Sequence, residues 1–383
     1  MKNKQIILLI NSLDGGGAER VVSTLLNYFS HDYECHLILM ENRISFNLDK
    51  RINIIYLNEN ANHSGIIKFL RLPIIAFKLS NIIKKNKFKK VLSFLHRANF
   101  INVMAKLYSS HGVIISERIA PSSIYSQNSI TSLAAKFLIK TLYKKADLII
   151  SASKAIKIDL CNNFNTNIAN QVIYNPYDYK KINLLSKEVI NITIDKDKSI
   201  ITVGALSRRK NHKMLINAFS KINDKSYKLY ILGKGDERVA LEKLIRKLNI
   251  EDRVIFLGFD KNPYKYLSKC GIFVSSSNGE GFPNVLVEAM FCGCSIISTD
   301  CLSGPREILA PSTSLENLLR GQIEMAEYGI LTPINDEVNL MDAINVYTED
   351  SDLRYLYSYK SKKMLDDFNI STIGEAYLKV VFA

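Results

Sequence analysis

The chain has 383 residues, enough for two domains of ordinary size that each have their own hydrophobic core. No apolar run approaches the roughly 20 residues that a membrane span needs, and Ile6–Ile10 is too short for the core of a signal peptide, so we predict a cytoplasmic protein. The formal net charge of +14 indicates an anionic surface or ligand, but no helix-turn-helix, RNP or zinc-finger pattern occurs, so no nucleic-acid partner is expected.

The positive charge is concentrated in the first half of the chain. Residues 1–180 hold 24 Lys and Arg against 11 Asp and Glu, a net of +13, whereas the rest holds 27 against 26. The six cysteines lack paired C-x-x-C spacing, so neither a zinc site nor a disulfide framework is expected. We interpret them as buried small residues or bystanders: Cys35, Cys161, Cys270, Cys292, Cys294 and Cys301.

Apolar strand candidates alternate with helical stretches through the first half. This alternation predicts an α/β fold with a doubly wound parallel sheet, whose functional residues gather at the carboxyl ends of the strands. The candidates are Gln5–Asn11, His36–Met40, Ile54–Leu57, Val91–Phe94, Val113–Ser116 and Ala146–Ser151.

A glycine loop follows the first predicted strand. Asp14 and the three glycines Gly15, Gly16 and Gly17 lead into Ala18–Phe29, whose apolar residues recur at helical spacing. Strand, glycine loop and helix form an arrangement that can hold a diphosphate at the helix N-terminus, although the G-x-G-x-x-G and P-loop patterns are absent. A tight turn without a ligand would give the same sequence.

Two polar pairs follow later strands of the first half. His96 and Arg97 come after one strand, and Glu117 and Arg118 come after the next. We predict that His96, Glu117 and Arg118 belong to a functional site at the carboxyl edge of the sheet. A structural ion pair between Glu117 and Arg118 is the alternative.

A basic and apolar segment lies between these features. Residues 60–116 contain ten Lys or Arg and no acidic residue, and residues 66–90 read IIKFLRLPIIAFKLSNIIKKNKFKK. The segment is too charged to span a membrane, and Pro73 predicts a break in its helix. Its apolar residues and its cluster of Lys84, Lys85, Lys87, Lys89 and Lys90 predict peripheral attachment to an anionic membrane surface. A core helix with a solvated basic face is the alternative.

The chain then crosses to its second half. Asn175-Pro176 is a turn signal, and the polar residues of 179–198 are interpreted as an interdomain linker. Asp195 and Asp197 formally match a D-x-D metal motif. They precede a strand rather than follow one, so we expect no metal site there.

Three cations follow the first strand of the second sheet. The strand Ile200–Val203 leads through Gly204 to Arg208, Arg209 and Lys210, just before the helix 214–222. Cations at a helix N-terminus can neutralise a leaving diphosphate. A solvated basic loop is the alternative.

The most informative stretch is 271–300, GIFVSSSNGEGFPNVLVEAMFCGCSIISTD. We predict a strand at Ile272–Val274, a loop with Glu280, a helix over Asn284–Cys292 closed by Gly293, and a strand at Ser295–Ser298. Glu280 and Glu288, about two turns into the helix, are predicted to face one crevice, where the backbone N–H groups of Phe282, Asn284 and Val285 suit an anion. In the alternative, Glu280 caps the helix and Glu288 is solvated.

The segment EGFPNVLVEAMFCG closely resembles the donor-site motif of the retaining glycosyltransferases of family 4. SERIAP is similar to the SER-x-x-P of their bacterial surface-polysaccharide members. Ala205 stands where the family's V-G-R-L motif has arginine, whereas Lys210 matches the family's lysine, so the resemblance implies that Arg209 or Arg208 replaces the missing cation. The resemblance implies a GT-B fold, with two Rossmann-like doubly wound domains facing a central cleft. We expect an N-terminal acceptor domain at 1–180, a nucleotide-sugar domain at 181–360, and a C-terminal helix at 361–383 that returns to the first domain.

The resemblance also implies the chemistry. We expect a retaining transferase that moves a HexNAc or hexose from a nucleotide-sugar, with UDP the family's commonest nucleotide, to a lipid-linked glycan. That acceptor would belong to polysaccharide, O-antigen or capsule synthesis, at the inner face of the cell membrane. No cofactor and no bound metal are expected. A UDP-sugar epimerase of the same fold and a catalytically silent binding protein are the alternatives.

The resemblance assigns roles to individual residues. Lys210 and Arg209 stabilise the leaving diphosphate, Glu280 holds the sugar and Glu288 holds the ribose. His96, Glu117 and Arg118 are the predicted acceptor residues, facing the cleft between the domains. The remaining predicted donor contacts are Gly16, Gly17, Gly204, Arg208, Phe259, Gly281, Phe282, Pro283, Asn284 and Val285.

Overall fold

The chain forms two compact units. The computed structural model describes residues 4–126, 129–316 and 318–383. One unit runs to Tyr177 and includes Phe368–Ala383, and the other is Asp178–Asp367. These boundaries lie three and seven residues from the predicted ones at 180 and 360.

The first unit is built on a seven-stranded parallel sheet of order β3-β2-β1-β4-β5-β6-β7. The central strand β1 reads QIILLI and is buried from its second residue onward, as expected where helices cover a parallel sheet. The strands are β1 Gln5–Ile10, β2 Glu34–Leu39, β3 Asn53–Tyr56, β4 Lys90–Phe94, β5 Gly112–Glu117, β6 Leu148–Ser151 and β7 Asn170–Val172. The alternation predicted the first six, whereas the three-residue edge strand β7 was missed.

Eight helices belong to the described part of this unit. They are α1 Gly17–Phe29, α2 Gly65–Leu70, α3 Leu72–Asn86, α4 His96–Ala105, α5 Pro121–Ile124, α6 Ile130–Leu142, α7 Lys154–Phe164 and the C-terminal helix, Ile370–Phe382. The predicted break near Pro73 is confirmed, because Arg71 separates α2 from α3. The C-terminal helix packs on α1 and buries Ile373, Tyr377 and Val380 in the core of the first sheet.

The second unit has a sheet of order β10-β9-β8-β11-β12-β14-β13, in which β13 alone pairs antiparallel among the described strands. Its strands are β8 Ser199–Val203, β9 Lys228–Leu232, β10 Val254–Gly258, β11 Ile272–Ser275, β12 Ser295–Thr299, β13 Glu324–Met325 and β14 Ile330–Thr332. Its helices are α8 Tyr179–Ser186, α9 His212–Lys221, α10 Arg238–Lys247, α11 Tyr264–Leu267, α12 Asn284–Phe291, α13 Pro305–Leu309, α14 Glu337–Glu349 and α15 Ser351–Ser361. We number the C-terminal helix α16.

The segment predicted as a linker is instead structured. Helix α8 packs on α11, where Asn262 Nδ2 donates to the Leu185 carbonyl at 2.8 Å and the Tyr179 ring stacks on Phe291 at 4.7 Å. The prediction was wrong because α8 contributes only Ile182 to the buried core, so its sequence is mostly polar.

The D-x-D sequence has a structural role, as its position before β8 indicated. Asp195 accepts a hydrogen bond from the Asp197 N–H at 3.0 Å. Asp197 accepts from Arg354 at 2.9 Å and from the hydroxyl of Tyr355. These contacts join the segment before β8 to α15.

Candidate active site

A short turn places the three predicted cations, Arg208, Arg209 and Lys210, at the carboxyl end of β8. Arg208–Lys210 forms a 3-10 turn, and Asn211, in the left-handed region at φ 49°, caps α9 by accepting from the Met214 N–H at 3.4 Å. Ser276 Oγ donates to the carbonyls of Lys210 and Asn211, both at 3.0 Å. The loop after β11 therefore holds this turn in place.

Glu280 lies between two of the three cations. Lys210 Nζ donates to Glu280 Oε1 at 2.5 Å, and Arg209 Nη1 lies 3.5 Å from Oε2 and donates to the Gly279 carbonyl at 2.8 Å. The Glu280 side chain is 7% exposed and that of Lys210 is 16% exposed. The structure thus assembles the three residues predicted to be catalytic.

The charges decide the protonation state of Glu280. Burial alone would raise the pKa of this carboxyl, but the nearby Lys210 ammonium and Arg209 guanidinium outweigh burial and lower it. Glu280 is therefore an ionised, buried carboxylate, and the interpretation of it as a simple helix cap is wrong.

Arg208 does not join this cluster. Its side chain is 94% exposed and its Nε lies 3.7 Å from Glu237 Oε1. It lines a separate cavity of about 270 Å³ in the same unit, with Ser207, His212 and Glu237. The structure favours Arg209 as the cation that compensates for Ala205.

Two glycines allow the close packing around Glu280. A Cβ on Gly204 would lie 3.3 Å from Lys210 Cε, so the glycine leaves space for the lysine stem. Gly304 has φ +93°, and its Cβ would lie 2.3 Å from Pro283 Cδ. Ser303 Oγ donates to the Glu280 carbonyl from the same loop. The Glu280 loop is therefore fixed from both sides.

Helix α12 follows this loop. It begins at Asn284 with Pro283 as its N-cap, and it ends at Phe291 with Cys292 as its C-cap, just before Gly293, which has φ +84°. Glu288 is 2% exposed and accepts a hydrogen bond from Tyr264 Oη at 3.2 Å. Glu288 is therefore buried about one turn into the helix, so both the solvated alternative and the predicted depth of two turns are wrong.

The predicted anion contacts at the start of α12 stay predictions. Phe282 and Asn284 each have an interaction partner within the protein. Gly281, Phe282 and Pro283 are buried beside the Gly304 loop, and Val285 is half-buried on α12.

Phe259 lies just after β10. Its side chain is exposed, and Lys234 Nζ stands over the ring at 4.6 Å from the centroid. An exposed aromatic face at the carboxyl end of a strand can stack on a nucleotide base. The position is compatible with the predicted donor contact.

The glycine loop of the first unit already holds a carboxylate. Gly16 caps α1, and Glu19 accepts hydrogen bonds from the backbone N–H groups of Gly16 and of itself. A Cβ on Gly16 would lie 2.0 Å from Glu19 Oε2, and burial raises the pKa of Glu19. A diphosphate contact at Gly16 and Gly17 would require Glu19 to move, and it stays a prediction.

His96 and Glu117 meet at the carboxyl edge of the first sheet. His96 Nε2 lies 3.1 Å from Glu117 Oε1, and Tyr143 Oη donates to Glu117 Oε2 at 2.6 Å. Tyr125 Oη lies 3.2 Å from His96 Nδ1. The structure brings the two predicted residues together and adds two tyrosines to them.

Arg118 has a different environment from the one predicted. It is buried, and its guanidinium donates to Ser116 Oγ at 3.3 Å, to Tyr377 Oη at 3.2 Å and to Asn175 Oδ1. Within the described residues it forms no ion pair with Glu117, so that alternative is wrong. Arg118 connects α16 to the end of β5. Its contacts do not indicate the predicted role of facing a cleft.

Sequence reasoning missed several partners of these residues. Tyr125, Tyr143 and Tyr264 are single tyrosines outside any motif, and only folding brings them to their carboxylate or imidazole partners. Glu19 was detectable, because it lies three residues after its glycine cap in the first turn of α1.

No group of three or more His, Cys, Asp or Glu side chains within residues 4–126, 129–316 and 318–383 could hold a metal ion. Over the same residues, no helix has the length and apolarity to cross a membrane. All six cysteines are free, and four of them are buried.

Comparisons with known proteins agree with this architecture. Residues 186–364 match the family described as glycosyl transferases group 1. The N-acetylgalactosamine-N,N'-diacetylbacillosaminyl-diphospho-undecaprenol 4-alpha-N-acetylgalactosaminyltransferase of Campylobacter jejuni is 37% identical over 375 residues, which cover 97% of this chain and 98% of the relative. An uncharacterised glycosyltransferase of Methanocaldococcus jannaschii is 31% identical over 384 residues, 91% of this chain and 93% of the relative. Anabaena HepE in complex with UDP has a TM-score of 0.75 at 19% identity, covering 98% of this chain and 99% of that one.

The two Rossmann-like parallel-sheet domains define a protein of the GT-B class. The chain belongs to the glycosyl transferases group 1 and is a glycosyltransferase. The resemblance predicted from the motifs is confirmed, and the comparisons give no support to the epimerase alternative.

Proposed function

We propose that the enzyme transfers a HexNAc or hexose from a UDP-sugar to a lipid-linked glycan with retention of the anomeric configuration. The observation that carries this proposal is the buried Glu280 held between Lys210 and Arg209, in a chain that is 37% identical to a transferase of N-acetylgalactosamine. That relative acts on a diphospho-undecaprenol glycan, which supports a lipid-linked acceptor and favours HexNAc over hexose.

The cluster suits a leaving diphosphate and a bound sugar. Lys210 and Arg209 place two positive charges beside one carboxylate, so a diphosphate entering the site would meet excess positive charge. The ionised Glu280 can accept hydrogen bonds from sugar hydroxyls. In a front-face reaction the leaving phosphate takes the acceptor's proton, so the protein chiefly positions the groups and neutralises charge.

Glu288 and Phe259 are proposed to hold the nucleoside. Glu288 is buried with Tyr264 as a partner, and a carboxylate can accept both hydroxyls of a ribose. Phe259 offers an exposed ring to the base. HepE was solved with UDP bound, which is consistent with UDP as the nucleotide here.

A donor screen tests this proposal. UDP- and GDP-linked sugars are compared for protection against thermal unfolding, because a ligand that binds the folded state raises the melting temperature. We expect UDP-N-acetylhexosamines to protect most and GDP-sugars least. Protection by GDP-sugars alone would reject the proposed donor.

We also propose that the first unit binds the cytoplasmic face of an anionic membrane, where a lipid-linked acceptor would be found. Helices α3 and α6, which both pack on α4, carry exposed apolar side chains. The residues are Ile74, Phe77, Ile130, Leu133 and Phe137. The same two helices carry the exposed cations Lys78, Lys84, Lys85 and Lys140.

The distribution of ion pairs supports a membrane role for the lysines of α3. Among the ten basic residues of 60–116, Lys68, Arg71, Arg97 and Lys106 pair with acidic side chains. The α3 lysines form no ion pair within the described residues, so their charge is available to anionic lipid. Each such lysine adds about 1 kcal/mol to the free energy of binding to an anionic membrane surface.

Liposome flotation at low and high salt tests attachment. Changing Lys84, Lys85, Lys87 and Lys89 to Gln is expected to release the enzyme from anionic vesicles, and Lys90 is left intact because it lies in β4. The matched control changes four exposed lysines of the second unit, Lys180, Lys187, Lys243 and Lys247, to Gln. Equal binding to neutral and anionic vesicles, or equal loss in both variants, would reject the proposal.

A further inference from the structure

Two loops form the charged cluster of the second unit, and a buried serine joins them. Ser276 follows β11, is 2% exposed and lies four residues before Glu280. Its hydroxyl donates to the carbonyls of Lys210 and Asn211, with both oxygens 3.0 Å from Oγ. A serine hydroxyl carries one hydrogen, so the two carbonyls share it. Ser276 therefore connects the loop of Glu280 to the backbone of 208–210, which we call the cation turn.

The two carbonyls lie where α9 begins. Asn211 is the N-cap of α9, so the carbonyl of Lys210 precedes the helix and lies outside its hydrogen-bond ladder. A backbone carbonyl that is removed from water needs a donor, and Ser276 supplies it from another loop. This contact alone would give Ser276 a purely structural role.

The contacts of Lys210 point to a further role. Its carbonyl accepts from Ser276, and its stem passes Gly204, where a Cβ would lie 3.3 Å from Cε. Its Nζ donates to Glu280 Oε1 at 2.5 Å. A lysine has a flexible four-carbon stem, and here the backbone, the stem and the ammonium are each held. The position of the ammonium therefore depends on the position of the backbone that carries it.

The loop of Glu280 is held to β12 by two other hydroxyls. Thr299 Oγ1 donates to the Ser277 carbonyl at 2.5 Å, and Ser303 Oγ donates to the Glu280 carbonyl. Thr299 is the last residue of β12, and Ser303 follows the strand. The carboxylate therefore keeps its place without Ser276.

Arg209 is also linked to this loop without Ser276. The Asn278 N–H donates to the Arg209 carbonyl, and Arg209 Nη1 donates to the Gly279 carbonyl, both at 2.8 Å. Loss of the Ser276 hydroxyl would leave these two contacts in place. It would therefore displace Lys210 more than Arg209.

We propose that Ser276 is a positioning residue of the transfer reaction, and that it sets the place of the Lys210 ammonium through the Lys210 backbone. This inference rests on the proposed function, because it takes Lys210 as the cation that neutralises the leaving diphosphate. Misplacing a catalytic group by about 1 Å can lower a rate by about 10²-fold. A smaller displacement is expected here, since Glu280 and Gly204 still hold the side chain.

Turnover of Ser276→Ala tests this role. We expect turnover to fall about tenfold and the donor KM to change less than about twofold, because the cation acts on charge that develops in the transition state. The matched control is Ser295→Ala. Ser295 is 1% exposed and donates to the Arg354 carbonyl at 2.6 Å, but it lies at the amino end of β12. Full turnover in Ser276→Ala, or an equal loss in Ser295→Ala, overturns the proposal.

Combined variants test whether Ser276 acts through Lys210. In a Lys210→Met background, Ser276→Ala should lower turnover less than about twofold further, because the group that it positions is absent. In an Arg209→Ala background, the loss of about tenfold should remain. An undiminished loss in both backgrounds would show that Ser276 is merely structural. Disappearance of the loss in both would overturn the assignment to Lys210.

Thermal unfolding separates this inference from the proposed function, because it needs no substrate. Ser276→Ala should lower the melting temperature less in a Glu280→Gln background than in the unmodified protein, since the ion pair with Lys210 is already weakened there. Ser295→Ala should cost the same in both backgrounds. If no UDP-sugar and lipid-linked glycan react, the proposed function fails while this difference remains. Equal losses from Ser276→Ala in both backgrounds would overturn the inference and leave the proposed function standing.

Discussion

At the scale of single residues, the site is dominated by one carboxylate and two cations. Glu280 and Lys210 are both largely buried and 2.5 Å apart, so neither is free to rearrange in water. A preorganised charge costs no reorganisation when the leaving group develops its own charge, which is why such clusters accelerate transfer. The two cations can therefore be tested by separate substitutions.

Lys210→Met is expected to lower turnover by about 10²-fold or more, because it removes a fixed cation from the site proposed for the leaving diphosphate. Arg209→Ala should lower turnover severely too. Arg208→Ala is the matched control, since Arg208 is exposed and lies beside Glu237 rather than Glu280. Full activity in Arg209→Ala together with loss in Arg208→Ala would show that the wrong arginine has been assigned.

Glu280→Gln is expected to reduce turnover by at least about tenfold while the protein still folds, because it keeps size and hydrogen bonding but removes the charge. The pKa of Glu280 is lowered in the folded state, so the ionised form stabilises the fold above the ordinary carboxyl value of 4.5. That contribution is lost as pH falls through the lowered pKa. Melting temperatures of the two proteins should therefore differ most at neutral pH and converge in acid; a constant difference would argue against an ionised Glu280.

Glu288→Ala is expected to weaken nucleotide binding, because it removes the carboxylate proposed to hold the ribose. Calorimetric titration with UDP measures this directly. Tyr264→Phe, which removes the hydroxyl that donates to Glu288, should weaken binding less. Unchanged UDP affinity in Glu288→Ala would remove Glu288 from the nucleotide site.

Sequence reasoning located the residues around Glu280 but not the environment of Arg118, and the difference has a physical reason. Glu280, Lys210 and Arg209 lie on two loops that end neighbouring parallel strands, so strand order alone brings them together. Arg118 also follows a strand, yet its guanidinium turns to Tyr377, which is 259 residues away in the chain. No local pattern encodes a contact of that separation.

At the scale of elements, the loops around the site are held by close backbone approach. The loop at Gly304 lies against 281–283, and the loop at Gly235 lies against the Leu206 carbonyl, 2.3 Å from where a Cβ would stand. Side chains at either glycine would push the loops apart. The geometry of the cluster therefore depends on these glycines as well as on its charged side chains.

Gly304→Ala is expected to destabilise the protein and to lower activity, because its Cβ would clash with Pro283 and its φ of +93° disfavours a side chain. Gly321→Ala is the matched control, since Gly321 has φ +79° but no atom within 4 Å of its Cβ position. The left-handed conformation alone costs on the order of 1 kcal/mol. Thermal unfolding should show a clearly larger loss for Gly304→Ala, and equal losses would mean that the close approach to Pro283 is unimportant.

Strands were easier to predict than helices for a reason visible in the elements themselves. Strands such as β1 and β11 are largely apolar runs buried on both faces, and such runs stand out from any neighbouring segment. Helix α8 buries one side chain and looks like a linker, and β7 has three residues with no buried member. Short edge elements carry too little apolar pattern to be recognised.

At the scale of the whole molecule, each unit has its own core. Ile200, Phe219 and Tyr347 belong to one buried cluster, and Leu8, Phe94 and Tyr377 belong to the other. Tyr377 lies on α16, so the last helix of the chain completes the core of the first unit. The sequence placed that helix with the first domain by family resemblance, and the packing of α16 on α1 gives the physical reason.

The most direct test of the account is the product of a reaction with UDP-N-acetylgalactosamine and a lipid-linked glycan acceptor. We predict that UDP is released only when the acceptor is present and that NMR of the product shows an α-linked N-acetylgalactosamine. A β-linked product, or conversion of the UDP-sugar to its epimer without an acceptor, would contradict the account.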